Sequence, residues 1–343
     1  MQRLYRGAEG IRGLACLLVL LAHAPGFFIP AVAAYFSGTG KFGVWLFFVL
    51  SAFLLTSKFE RTGFRPEAIA SYAIGRFLRI IPIFLIVVIL CYFLGAAGVL
   101  SLSDVVSAIS FQKGYAHLWT IPVEFKFYFL LPFFAYAFIS VTRGFGQTGA
   151  FVLVVALIAV TQLIWPFWLT PENSIFTHWY LPSFILGSYA AVSIEFFRSK
   201  ITDNLRNVLA IAAMFAIVVL TPYFRQVLFQ MPLDGWLQNK FILLSLLWVV
   251  FLLSAIDGKG LFGGLMRTLV LMKLGKWSFS IYLIHWIIYG YLASVHIGNG
   301  FVWSVIAILS SIAVGAMLFI LIESKIERLR HIVQIRINIS DKT

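Results

Sequence analysis

The chain has 343 residues, of which 61% are hydrophobic and only 11% charged, and its formal net charge is +13. A soluble globular domain carries about a quarter charged residues, so this composition excludes one and points to a polytopic membrane protein. The positive balance does not indicate a nucleic-acid binder, because the basic residues fall in short loops between apolar runs, where they act as orientation signals.

Ten apolar runs are long enough to cross about 30 Å of hydrocarbon, at about residues 13–31, 40–57, 81–100, 119–140, 149–169, 176–196, 205–222, 239–256, 277–297 and 302–323. The expected fold is therefore all-α: one membrane helix bundle of about ten spans over residues 1–343. The first run is read as a span and not as a cleavable signal, since similar runs recur to the C-terminus and no small-residue cleavage site stands out. It opens with EGIRGLACLLVLLAH, residues 9–23. At about 100° per residue, His23 returns to within roughly 20° of the face that carries Arg12, about 16 Å along the axis. Ionisable groups at that depth are costly and usually line a cavity or a reaction path. A polar packing contact inside the bundle is the alternative for His23 alone.

After the short second span, RFLRI brings Arg76 and Arg79 onto one helix face. Paired guanidiniums suit phosphate; headgroup anchoring is the other reading of an isolated pair. The fourth span carries HLWTIPVEFKFYFLLP, residues 117–132, with Glu124 and Tyr128 on one face and Lys126 turned away. On a simple depth scale Glu124 lies within about 6 Å of the level of His23, close enough to orient or stabilise the ring. Residues 261–274 read as a re-entrant or surface helix. Ser278, Tyr282 and His285 then share a face of the ninth span, serving either as part of a site or as a hydrogen-bonded seam between helices. Glu323 closes the tenth span beside the basic segments and is expected to pair with an arginine.

With ten spans, the loops on one side hold Arg and Lys from Arg3, Arg6 and Arg12 through Lys58, Arg76 and Arg79 to Arg330 and Lys342. The other side has only Lys41, Lys113, Arg225 and Lys240. Both termini are therefore expected in the cytoplasm, in a plasma (inner) membrane. Trp165, Trp168, Trp179 and Trp236 fall at proposed outer ends; together with Tyr180 they either anchor at the interface or stack on sugar rings. Cys16 and Cys91 lie alone in apolar runs, so neither a disulfide framework nor a metal site is expected.

These residues together suit a reaction joining a phosphate-bearing cytosolic ligand to a mid-membrane base. A histidine can deprotonate a hydroxyl while an arginine face holds the phosphates of a carrier, a description that acyl-CoA meets. The segments EGIRGLACLLVLLAH, GVWLFFVLSAFLL, RFLRIIPIF, HLWTIPVEFKFYFLLP and LGKWSFSIYLIHW, in that order, resemble the acyltransferase-3 family of integral-membrane O-acyltransferases. The resemblance implies acyl transfer from a cytosolic acyl-CoA, often acetyl-CoA, to a hydroxyl of a sugar or glycan. It implies that His23 acts in catalysis as the general base and that Arg12, Arg76 and Arg79 serve the donor. The family's tryptophan-to-glutamate signature falls on Trp119 and Glu124. Tyr128, Ser278, Tyr282 and His285 are supporting candidates. No permanently bound cofactor is expected.

Glu9, Ala52 and Phe279 depart from the family's frequent Asp, Gly and Tyr, and Pro122 interrupts the tryptophan-to-glutamate segment. The extracellular hydrolase-like domain fused to some relatives is not among these residues, so a second transfer step is expected to need another protein. Direct attack is favoured over an acyl-enzyme, with Ser51 and Ser278 left open as nucleophiles. A transporter or flippase that relays protons through His23, Glu124 and His285 is the rival class, and a sensory or scaffold protein the third.

Overall fold

The computed structural model describes residues 5–340; Arg3 and Lys342, counted above among the basic residues, lie outside them. Among the described residues there is no β-strand. The principal helices are α1 (Ala8–Phe28), α2 (Gly40–Thr62), α3 (Pro66–Phe93), α4 (Thr120–Ile164), α5 (Thr177–Lys200), α6 (Asp203–Val219), α7 (Phe241–Ala255), α8 (Leu269–Val295), α9 (Gly300–Leu318) and α10 (Ser324–Ser340).

Among the described residues, seven continuous helical stretches are long and apolar enough to cross a membrane. Two bent pairs raise the number to nine: α6 with Pro222–Phe229 at 81°, and α7 with Gly260–Met266 at 87°. The second pair accounts for the expectation of a re-entrant or surface helix near 261–274. The sequence count of ten differs from this range at α4, where spans expected at 119–140 and 149–169 form one helical stretch.

That stretch breaks at Gly146, whose φ of 65° and ψ of −162° suit only glycine. Contacts with α5 show what the break does. Before it, Val123 O accepts from Thr177 Oγ1 at 2.9 Å, Phe127 stacks on Phe184 and Phe138 meets Tyr189. After it, Gln147 Nε2 donates to Val192 O at 2.9 Å, Phe151 meets Tyr189 and Trp165 meets His178. Partners climb α5 and then descend it, so the chain reverses direction at Gly146.

The core of the bundle is α1 against α8, and small residues let the two backbones touch. A Cβ on Gly275 would fall 1.7 Å from Glu9 O, and one on Gly13 would fall 2.1 Å from Leu271 O. The helices run in parallel: Cys16 meets Ser278, His23 meets His285, and the Tyr289 hydroxyl donates to Leu20 O at 3.1 Å. This register sets the site, since it carries Arg12 and His23 on one helix past Ser278 and His285 on the other. Helix α2 packs on α1 with Gly43 at the contact, and α5 covers the far side of α2, where Phe48 stacks on Phe184.

Candidate functional site

Two cavities lie along the α1–α2–α8 interface. The larger, about 730 Å³, is lined by Arg12 on α1, Ser51 and Lys58 on α2, Arg76 and Arg79 on α3, and Glu124 and Tyr128 on α4. Its lining also includes Lys276 and Ser278 on α8 and Arg330 on α10. Six lysines and arginines face three glutamates there, a surplus that suits an anionic ligand with several charges. Arg12 Nη1 bonds Glu9 Oε1 at 2.9 Å, and the Arg76 guanidinium lies over the Tyr128 ring. Arg12 thus lines the same cavity as Arg76 and Arg79, more than sixty residues further along the chain.

The smaller cavity, about 340 Å³, contains His23, Lys41, His117, Trp119, Glu172, Asn173, Gln238 and Trp286 in its lining. Val44 and Tyr282 border both cavities and form the partition between them. The Tyr282 hydroxyl is fixed there by Thr120 Oγ1 at 2.9 Å and by His117 O at 2.7 Å. Lys41 bonds Gln238, whose Nε2 donates to Glu172 Oε1 at 2.8 Å. None of Trp165, Trp168, Trp179, Tyr180 or Trp236 lines this cavity; its indoles are Trp119 and Trp286.

His23 does not meet Glu124. Its Nδ1 is 3.2 Å from His285 Nε2, and His285 Nδ1 is 2.6 Å from Tyr282 O. A carbonyl only accepts, so His285 Nδ1 carries the proton; with both rings neutral, His285 Nε2 accepts from His23 Nδ1–H. That chain leaves the lone pair on His23 Nε2. This nitrogen faces Gly40 at the cavity wall, so close that a Cβ there would lie 2.7 Å from it. The fully buried His285 therefore holds the position that the sequence reading gave to Glu124.

Glu124 instead accepts from Ser51 Oγ at 2.7 Å and from the Tyr128 hydroxyl at 2.5 Å. Gly40 abuts His23 and Ser51 binds Glu124, eleven residues later on the same helix, so about 16 Å separates the two levels and not 6 Å. The reason is the turn Ala116–Trp119, which is sunk into the bundle: His117 Nε2 lies 3.0 Å from Leu283 O and all of His117, Leu118 and Trp119 are buried. Helix α4 consequently starts at the level of His285 and not at a membrane surface.

The Ser278–Tyr282–His285 face is likewise divided among three places. Ser278 opens on the larger cavity with its hydroxyl donated to Gly275 O, Tyr282 stands in the partition, and His285 backs His23. Glu323 is buried, accepts from Ser280 Oγ at 2.5 Å and lies within the electrostatic reach of Arg79. Lys126 donates to Phe111 O and Ile175 O, away from Glu124 as its two-residue offset implied.

Sequence reasoning missed His117, Trp286, Gly40, Lys58, Lys276 and Arg330. His117 and Trp286 stand within quoted motifs, and their rings stack at 5.6 Å. The three cations were visible only as loop charges. Among the described residues no group of three or more His, Cys, Asp or Glu side chains is arranged to hold a metal ion.

A family model described as an acyltransferase domain matches residues 5–322. The chain is also similar to the O-acetyltransferase OatA of Staphylococcus aureus strains NCTC 8325, COL and MW2. Each is 27% identical over 326 residues, covering 85% of this chain and 51% of the relative. The chain thus spans about half the length of the curated relatives it matches. No solved structure matches the chain.

Proposed function

The chain belongs to the acyltransferase-3 family, and from that premise we propose that it transfers an acyl group, acetyl by preference, from cytosolic acyl-CoA to a hydroxyl of a sugar or glycan. The donor phosphates bind Arg12, Arg76 and Arg79, and the pantetheine arm runs along α1 towards the partition at Tyr282. An acceptor in the smaller cavity presents its hydroxyl to His23 Nε2, which removes the proton as the oxygen attacks the thioester carbonyl. The C–O bond forms, the C–S bond breaks, and the thiolate leaves as CoA after taking up a proton. Lys41, Gln238 and Glu172 supply polar contacts for the acceptor, and Trp119 and Trp286 supply faces on which a sugar ring stacks.

The observation that carries this reading is the His285-held tautomer of His23, which leaves the Nε2 lone pair at the wall of a cavity adjoining the cation-rich one. Ser51 and Ser278 are weaker nucleophile candidates, because their hydroxyls are bonded to Glu124 and Gly275 O and are not beside a histidine. Glu124 then acts in the donor cavity, next to the Tyr128 ring that Arg76 covers.

The orientation follows from charge. On this reading the α4 reversal at Gly146 and the bent pairs count as separate crossings, ten in all, and the cation-rich end and both termini are assigned to the cytoplasm of a plasma-membrane protein. Inverted membrane vesicles supplied with acetyl-CoA and a cell-envelope glycan extract test the whole reading. Release of free thiol that His23→Ala and Arg76→Ala each abolish supports it. Equal release by parent and variants, with expression verified, removes it and favours a transporter.

A further inference from the structure

Helix α10 lies beyond the residues that the family model matches. It continues a helical run through a π-helical turn, Phe319–Glu323, that is anchored by the Glu323–Ser280 bond, and lies along α3. Gln334 Nε2 donates to Ser71 O at 2.7 Å. Gly75 provides the clearance, since a Cβ there would fall 2.4 Å from Gln334 Nε2. This docking puts Arg330 on the wall of the larger cavity, with Arg12, Arg76 and Arg79 as its charged neighbours.

Arg330 is poorly satisfied as it stands. Its Nη2 is 3.5 Å from Glu327 Oε1, a long contact, while Nη1 is buried with no hydrogen-bond partner among the described residues. A buried N–H left unbonded beside like charges is costly, and the cost is relieved when an anion sits between them. Arg12, Arg76 and Arg79 come from α1 and α3, and Arg12 is already paired with Glu9. Arg330, with Lys58 across the same cavity, is further cationic capacity.

We propose that α10 forms one wall of a phosphate subsite, in which Arg330 and Lys58 take a second phosphate of a nucleoside 3′,5′-bisphosphate group. This rests on the donor reading above: acyl-CoA carries such a group at the end remote from its thioester. The α10 wall makes the protein select complete CoA thioesters over short ones that lack the nucleotide.

The test compares acetyl-CoA with acetyl-pantetheine, which has the same reactive end and no nucleotide, for the parent, Arg330→Ala and Gly75→Leu. Gly75→Leu displaces α10 without removing a charge. Both variants are expected to raise KM for acetyl-CoA about tenfold or more, the range of one charge-assisted hydrogen bond, with kcat retained. Turnover of acetyl-pantetheine is expected to stay at the parental value, which also shows that the variants fold. Direct binding of adenosine 3′,5′-bisphosphate to purified protein in detergent, weakened in both variants, separates this proposal from the transferase reading. Arg330-dependent binding without thiol release by the parent would leave the subsite standing and the transferase reading overturned. Thiol release with bisphosphate binding that is absent or indifferent to Arg330 would overturn the subsite alone. Equal loss with both thioesters, or no change with either, would also overturn it.

Discussion

Gly40→Ala puts the smallest possible obstacle in front of the nitrogen on which the proposed chemistry depends. A Cβ built on Gly40 lies 2.7 Å from His23 Nε2, 3.2 Å from Cε1 and 3.3 Å from Cδ2. Non-bonded carbon contacts settle at about 3.5 Å or more, so the ring must retreat by roughly 0.8 Å. Behind it stands His285, 3.2 Å from Nδ1 and stacked nearly parallel, and Trp286 closes one side edge-on. The ring cannot back away squarely; it tilts, and the Nδ1–Nε2 bond that fixes its tautomer is lost. A misplacement of about 1 Å costs about a hundredfold in rate, so acyl transfer should fall between ten- and a hundredfold. KM for the CoA donor should not change, since Arg12 lies about 16 Å away along α1. Alanine is the better helix former, which favours a folded variant. Gly26→Ala, where no described atom outside its own stretch of helix backbone lies within 4 Å of the new Cβ, is the matched control and should retain parental turnover. Steady-state thiol release in inverted vesicles decides the matter. Parental activity in Gly40→Ala would mean that Nε2 does not act on a substrate in that cavity.

His285→Ala removes the acceptor that fixes the His23 tautomer and should lower kcat by at least about a hundredfold with donor KM unchanged; loss of donor affinity instead would mark a structural role. Gly275→Leu wedges α1 from α8 at the Glu9 carbonyl, and overpacking of this kind costs about 1–3 kcal/mol. It should therefore lower the melting temperature in detergent, whereas Gly290→Leu, at an open position, should not. Asp104, in a helix outside the spans, is held well below the usual carboxylate range, at about 2, by hydrogen bonds from Tyr115, Ser101 and the Leu100 amide. Its charged form is thus favoured by folding, a contribution fully present above its ordinary value of 3.8 and lost as pH falls towards 2. The melting difference between the parent and Asp104→Asn should shrink over that interval; a pH-independent difference would contradict the assignment.

The helices were legible because a bilayer demands long apolar runs, and the 11-residue spacing of Arg12 and His23 needed only helical periodicity. Depth was less legible. Reading Glu124 against a membrane surface assumed that the segment before α4 lies at that surface, and nothing local marks Ala116–Trp119 as sunk into the bundle. Its burial follows from long-range bonds to Tyr282 and Leu283, more than 160 residues away. The α4 reversal was anticipated as two spans, yet the glycine geometry that joins them in one helical stretch was not. Arg330 escaped notice because one charge among several in a basic segment gains its meaning only when Gln334 docks α10 on α3.

The separation between the cations and the histidine constrains the donor on this reading. Arg12 and His23 share a face of one straight helical run, so their Cα atoms stand about 16 Å apart whatever the side chains do. An acyl phosphate, whose anion adjoins its acyl carbon, cannot rest on the arginines and present its carbonyl to His23 Nε2. A long uncharged arm between phosphate and thioester can, provided that it passes Tyr282 and Val44 at the partition. Such an arm also divides the labour. Binding energy collected by the cations at one end holds the reactive carbonyl at the other. Changes in the cation cluster should therefore act on donor KM and changes around His23 on kcat. A variant such as Arg79→Ala that lowered kcat while leaving KM intact would break that division and place the arginines at the chemistry itself.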